Sequence, residues 1–169
     1  MMTNARERDA FEILGEDHQR TMHRLERLEP LLAEAEMRSE EDIKNGLMEF
    51  ESFLDTEVWA HFRKEEEHLF PLLDAHFPFE NAPVAGGPMR VLREEHQIIR
   101  KLAERLHMSM ENSADKGGWL VAAKLSGRQL VTAIRKHIYK EDFVVFRLAK
   151  SLLTEEERYK LNSFFASPH

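Results

Sequence analysis

His61–Phe70 reads HFRKEEEHLF and His137–Phe146 reads HIYKEDFVVF. Histidine, lysine, glutamate and phenylalanine fall at the same offsets in both. In each segment the histidine and the glutamate stand four residues apart, which on an α-helix stacks them one above the other on a single face. Working outward, Leu54 matches Leu130 and Val58 matches Ile134, so the likeness runs back along that face.

A second pair of segments repeats in the same way. LGEDHQ (Leu14–Gln19) matches LREEHQ (Leu92–Gln97), and Leu28 matches Leu106. His18 and His96 are 78 residues apart, and His61 and His137 are 76 apart. Spacing this constant marks a helix pair used twice, which folds into a bundle with pseudo-two-fold symmetry.

Periodicity of three and four residues runs through the rest of the chain. A first helix is predicted over Arg8–Met37, its stripe being Phe11, Leu14, His18, Met22, Leu25 and Leu28, with Pro30 kinking it or ending its regular part. Ser39 is the N-cap of a second helix reaching about His76, with Phe50, Leu54, His61, Glu65, Leu69 and Leu72 inward and Pro71 near its end. Phe77–Pro88 is a loop. A third helix covers Met89–Ser113, with Leu92, His96, Ile99, Ala103 and Leu106 inward, and Lys116-Gly117-Gly118 breaks it. A fourth covers Trp119–Leu152, with Leu130, Ile134, His137, Glu141, Val145 and Leu148 inward. Thr154 and Glu157 form a capping box for a short fifth helix, a lid or a partner surface. The expected fold is all-α: an up-down-up-down four-helix bundle over about residues 8–152, then a fifth helix over about 155–165, with 1–169 one domain.

Composition narrows the chemistry. With no cysteine, thiol catalysis, disulfides and thiolate metal sites are excluded, and a reducing compartment is favoured. A net charge of −7 repels phosphate backbones, so no nucleic-acid partner is expected. No apolar run reaches membrane-spanning length and the start, MMTNARERD, is polar, so no membrane partner and a cytoplasmic location are expected. Nine histidines is a high count, and histidine is the commonest nitrogen ligand of transition metals.

The stripes place His18, His61, Glu65, His96, His137 and Glu141 inside one core. Burying each such group costs several kcal/mol, roughly, unless it is paired or bound to a metal. Four imidazoles and two carboxylates suit two divalent ions of the iron or manganese kind. Structural zinc prefers a closed tetrahedron and calcium prefers oxygen.

The ordered set resembles the hemerythrin-like, or HHE cation-binding, family: a histidine on the first helix, H-x-x-x-E on the second, a histidine on the third and H-x-x-x-E on the fourth. The local context EDH, HFRKEEEHLFP and EEHQ is also similar, and the likeness spans Leu14–Leu148. The resemblance implies two non-haem iron ions joined by an oxo or hydroxo group, with manganese or zinc as possible substitutes. His18 and His61 would hold one ion, His96 and His137 the other, and Glu65 and Glu141 would bridge them. The oxygen carriers of the family have a fifth histidine one turn along the third helix; here those positions are Leu92 and Arg100. They also place an aspartate five residues after the last histidine, here Asp142; Glu141 is preferred because it matches Glu65 in the repeat.

Other polar residues leave alternatives open. His68 is an extra ligand, a pocket residue, or a partly exposed group near the bundle end. Glu57 either bonds an imidazole or lies on the surface. Glu66, Glu67, Glu94 and Glu95 read as a solvated face, and His23, His76, His107 and His169 as surface residues.

Two classes of function follow from the resemblance. One is a binding protein: a di-iron domain that binds or senses dioxygen or nitric oxide, or buffers iron. The other is an oxidoreductase acting on peroxide or nitric oxide, or an iron donor in iron–sulfur cluster repair; the family branch that repairs clusters carries a cysteine-bearing segment, which weighs against that role. Whether the chain is an enzyme, and which protein it partners, stays open from the sequence.

Overall fold

The computed structural model describes residues 8–77, 87–111 and 117–166. Helix α1 is Ala10–Ala33, followed by a 3₁₀ turn at Ala35–Met37. Helix α2 runs as Glu40–Phe53, a π turn at Leu54–Val58, Trp59–Lys64, a second π turn at Glu65–Leu69, and Phe70–Ala75. Helix α3 is Gly87–Glu111. Helix α4 runs as Gly118–Lys140, a π turn at Glu141–Val145, and Phe146–Leu152. Helix α5 is Glu155–Ala166. There is no strand among the described residues. The chain is an all-α helical bundle, as the periodicity predicts.

The predicted caps at Ser39 and Thr154 hold, and Asp9 adds one that the sequence reading did not name. The Asp9 carboxylate accepts from the Phe11 N–H and opens α1. Ser39 Oγ accepts from the Asp42 N–H and opens α2. Thr154 and Glu157 cap each other reciprocally at the start of α5. Pro30 neither breaks nor immediately ends α1, which continues to Ala33; the Glu34 N–H then bonds the Pro30 carbonyl and closes the helix. The expected loop lies within 77–88, of which residues 78–86 are outside the described residues; so are Asn112–Lys116 at the predicted break after α3.

Neighbouring helices pack in the order α1, α2, α3, α4 around the bundle, with α4 returning to α1. Two close approaches are made at glycines. A Cβ on Gly127 would lie 2.7 Å from Leu32 Cδ1, and one on Gly46 would lie 2.5 Å from Leu31 Cδ2. Helix α5 lies on α1 and on the π turn at Glu65–Leu69. Its Leu161 is fully buried, and its Asn162 side chain accepts from the Ala10 N–H, covering the start of α1. No helix among the described residues is long and apolar enough to cross a membrane.

The apolar interior is in two parts. The larger runs from Leu25 and Ile43 through Phe50, Leu54, Phe62, Leu106 and Leu130 to Ile138. The smaller joins Phe11, Leu14, Leu69, Phe70, Leu92, Phe146 and Leu161 at the other end. Between them lies a layer of buried polar side chains.

Candidate metal centre

That layer is made of His18, His61, Glu65, His96, His137 and Glu141, each at most 5% exposed. The structure therefore brings together all six residues singled out from the sequence. They come from α1, α2, α3 and α4, one histidine from each, with a glutamate one turn below the histidine on α2 and α4.

The imidazoles are paired. His18 Nε2 and His61 Nε2 are 3.0 Å apart, and His96 Nε2 and His137 Nε2 are 2.9 Å apart. The two carboxylates lie between the pairs. Glu65 Oε1 is 3.4 Å from His61 Nε2, and its Oε2 is 3.5 Å from His96 Nε2. Glu141 Oε2 is 3.2 Å from His18 Nε2, and its Oε1 is 3.1 Å from His137 Nε2. Each carboxylate thus spans both pairs. Ligand atoms of His18, His61, Glu65 and Glu141 all lie within 4.8 Å of one another, as do those of Glu65, His96, His137 and Glu141.

An outer ring fixes how the imidazoles are protonated. His61 Nδ1 donates to Asp17 at 3.2 Å and His137 Nδ1 to Glu95 at 3.1 Å. His18 Nδ1 donates to Asp142 at 2.8 Å and His96 Nδ1 to Glu66 at 2.6 Å. A carboxylate only accepts, so every Nδ1 carries its hydrogen and every Nε2 of a neutral imidazole presents a lone pair to the centre. The ring obeys the repeat, with Asp17 answering to Glu95 and Glu66 to Asp142. Lys64 holds Asp17 at 3.1 Å, and Lys140 likewise holds Glu95.

Two facing lone pairs at 3 Å repel unless positive charge lies between them. All four oxygens of Glu65 and Glu141 are fully buried, and none accepts a hydrogen bond within the described residues. Buried polar atoms without partners are rare in folded proteins and call for a reason. A divalent cation between each histidine pair answers both problems. An octahedral ion with ligands at about 2.1 Å sets adjacent ligand atoms about 3.0 Å apart, and a tetrahedral one about 3.4 Å apart. The spacings of 2.9–3.5 Å among these atoms lie in the range that ligands of one cation adopt.

Without a cation, protons do the same work. Burial pulls the His18 pKa down, but its contacts with Asp142 and Glu141 and the charge of Glu65 outweigh it and raise the value to about 10. His137 is likewise depressed by burial and raised by Glu141, Glu95 and Glu65, reaching about 9. Burial also opposes the charge on His61, whose pKa nevertheless rises through Glu65 and Asp17. Burial would raise Glu65, yet His61 and His96 hold it well below its ordinary value.

The pH dependence of the metal-free protein follows with a definite sign. The raised histidines contribute stability that is complete below their ordinary value of 6.5 and lost as pH climbs through about 9 and about 10. Glu65 contributes above its ordinary 4.5 and loses that contribution as pH falls through its lowered value. Chelated protein should therefore melt highest between 4.5 and 6.5 and fall by a few kcal/mol, roughly, toward pH 10. Thermal melts in the presence of chelator test this; stability that rises steadily from pH 6.5 to 10 would contradict it.

Of the other sequence readings, those of Glu66, Glu95 and His76 need correction, and the open alternatives at Asp142, His68 and Glu57 are decided. Glu66 and Glu95 are more than a solvated face, since each holds an imidazole of the layer. Asp142 is half-buried and bonds His18 from outside the layer, which leaves the inner position to Glu141. His68 is no part of the cluster: its ring stacks on Phe164 of α5, centroids 4.4 Å apart. Glu57 is exposed and accepts from Arg20, and it bonds no imidazole. His76 is half-buried and bonds Glu157, tying the end of α2 to the start of α5. His23 and His107 are exposed, as read, and His169 lies outside the described residues.

The missed residues had a signal. Asp17, Glu66, Glu95 and Asp142 occupy matched positions in the two halves, and a merely solvated face has no reason to keep a carboxylate at each. Aromatic rings wall the layer by the same logic. Phe146 stacks on His18 with centroids 5.3 Å apart, and its counterpart Phe70 lies 5.6 Å from His96. Phe62 stacks on His96 at 3.6 Å.

Helices that each send an inward histidine to a shared pair of bridging carboxylates define a helical cation-binding bundle. The chain matches the hemerythrin HHE cation binding domain over residues 9–149 and belongs to that family. No curated protein and no solved structure matches it.

Proposed function

We propose that this protein binds a pair of non-haem iron ions and offers them to a small ligand, dioxygen or nitric oxide. His18 and His61 hold one ion, His96 and His137 the other, and Glu65 and Glu141 join them. The observation that carries this reading is the facing of Nε2 atoms at 3.0 and 2.9 Å, with every Nδ1 already committed to a carboxylate. Bound iron supplies a one-electron couple and open positions for a small ligand.

The chain's own residues do the rest. Four histidine nitrogens and four carboxylate oxygens would offer each ion four protein ligands. Asp17, Glu95, Glu66 and Asp142 keep each imidazole in one tautomer and orientation. Phe62, Phe70 and Phe146 pack on the imidazoles and keep bulk water from the layer. Metal loading requires the histidines to shed protons, so affinity rises with pH.

The test is metal analysis of protein purified without air from iron-supplied cells, followed by an optical spectrum as air is admitted. Two irons per chain and a new near-ultraviolet absorption are expected. Protein that takes up neither iron nor manganese defeats the proposal. Reversible, stoichiometric change marks a binding protein, whereas sustained consumption of peroxide or nitric oxide marks the oxidoreductase alternative.

A further inference from the structure

The internal repeat matches the layer and its outer ring closely, and it fails at one corner. On the α3 side, His96 is closed in. Arg100 donates to Glu66 at 3.1 Å and lies over the rings of Trp59 and Phe62. Arg93, one turn before, donates to Asp74 at 2.7 Å and lies over Phe70. The matched positions on the α1 side are Met22 for Arg100 and Gly15 for Arg93. Met22 cannot pin Asp142 as Arg100 pins Glu66, and the hydrogen-bond partner of Asp142 among the described residues is His18 alone.

The consequence is an opening. A surface pocket of about 340 Å³ has Gly15, His18, Met22, His23 and Asp142 among its lining residues. His18 is 3% exposed, yet it forms part of the pocket floor. A Cβ on Gly15 would meet nothing within 4 Å, so α1 is open on this side one turn before His18. Asp142 stands at the side, its side chain 38% exposed.

We infer that this corner is the portal through which divalent cations enter and leave the metal centre, with Asp142 as its movable post. The inference rests on the proposed metal centre and adds a direction to it. A cation reaching His18 must pass Asp142, a carboxylate that can swing outward because no arginine restrains it. Beside His96 the matching carboxylate, Glu66, is held by Arg100, whose positive charge repels a cation, and Arg93 adds a second positive charge one turn away.

The test copies the closed corner onto the open one. In Gly15→Arg/Met22→Arg the added side chains occupy the pocket, and the arginine at 22 stands to Asp142 as Arg100 stands to Glu66. Replacing a helical glycine also favours the fold. The readout is the rate at which a chelator extracts metal from the loaded protein, followed by colour and by metal analysis. Extraction should slow about tenfold or more at unchanged metal content. The opposite change, Arg100→Met, opens the closed corner and should speed extraction. Unchanged rates in both variants overturn the portal, and if the double variant does not fold, Arg100→Met decides alone. Failure to bind metal in the parent protein would instead defeat the metal centre itself, so the two failures are distinct.

Discussion

Protein carrying Glu65→Ala and Glu141→Ala together should hold no metal and should melt well below the parent even when both are metal-free. The first result follows from geometry, since among the described residues these two carboxylates reach nitrogens of both histidine pairs. The second follows from charge. In the metal-free protein the outer carboxylates and these two glutamates together outweigh burial, raising His18 to about 10 through Asp142, Glu141 and Glu65 and His137 to about 9 through Glu141, Glu95 and Glu65. Removing one side of a buried ion pair costs about 3–5 kcal/mol, because the remaining charge is stranded. In a domain of this size each kcal/mol moves Tm by about 2–4 °C, so a fall of about 10 °C is expected near neutral pH. Metal content by elemental analysis and Tm by calorimetry check both. Native metal content in the double variant would remove the carboxylates from the centre.

Chelation of the parent protein should lower its Tm by a similar amount. A ligand bound only to the folded state stabilises it by about 4 kcal/mol when free ligand stands about a thousandfold above Kd. That corresponds to about 8–16 °C for a domain this large. The effect should vanish in the double glutamate variant, because its melt no longer has a metal contribution to lose. Coincident melts with and without chelator, at pH values where loading is complete, would show that no cation links the four helices.

Much of this architecture was legible in the sequence, and the reasons differ from residue to residue. The six inward polar side chains were found because a 76- to 78-residue repeat placed the same chemistry twice on apolar stripes. The caps at Ser39 and Thr154 were found because hydroxyl-to-amide capping is local. What periodicity missed was the winding of the helices beyond the glutamates. The expected stripe continued from Leu69 to Leu72 and from Val145 to Leu148, yet Leu73 and Ala149 are the fully buried residues and Leu72 and Leu148 are half-buried. Inward positions run 61, 65, 69, 73 and 137, 141, 145, 149, four residues each time. An α-helix turns about 100° per residue, so four residues overshoot a full turn by about 40° and the stripe would wander off the core. The π turns that begin at Glu65 and at Glu141 unwind the helix and bring it back. The run of fours was there to be read. The outer ring of Asp17, Glu66, Glu95 and Asp142 was missed for another reason: the repeat marked those positions, but which imidazole each carboxylate faces is set only when the helices are packed against each other.

The polar layer also governs how the molecule comes apart. It sits between two oily bodies that share no buried residue, one holding Leu25, Phe50 and Leu130, the other Phe11, Phe70 and Leu161. With ions at the waist, all four long helices are strapped together at one level and both ends melt as a unit. With the ions gone, only protons compensate the waist, and the smaller end, which α5 covers, is free to loosen while the larger stays intact.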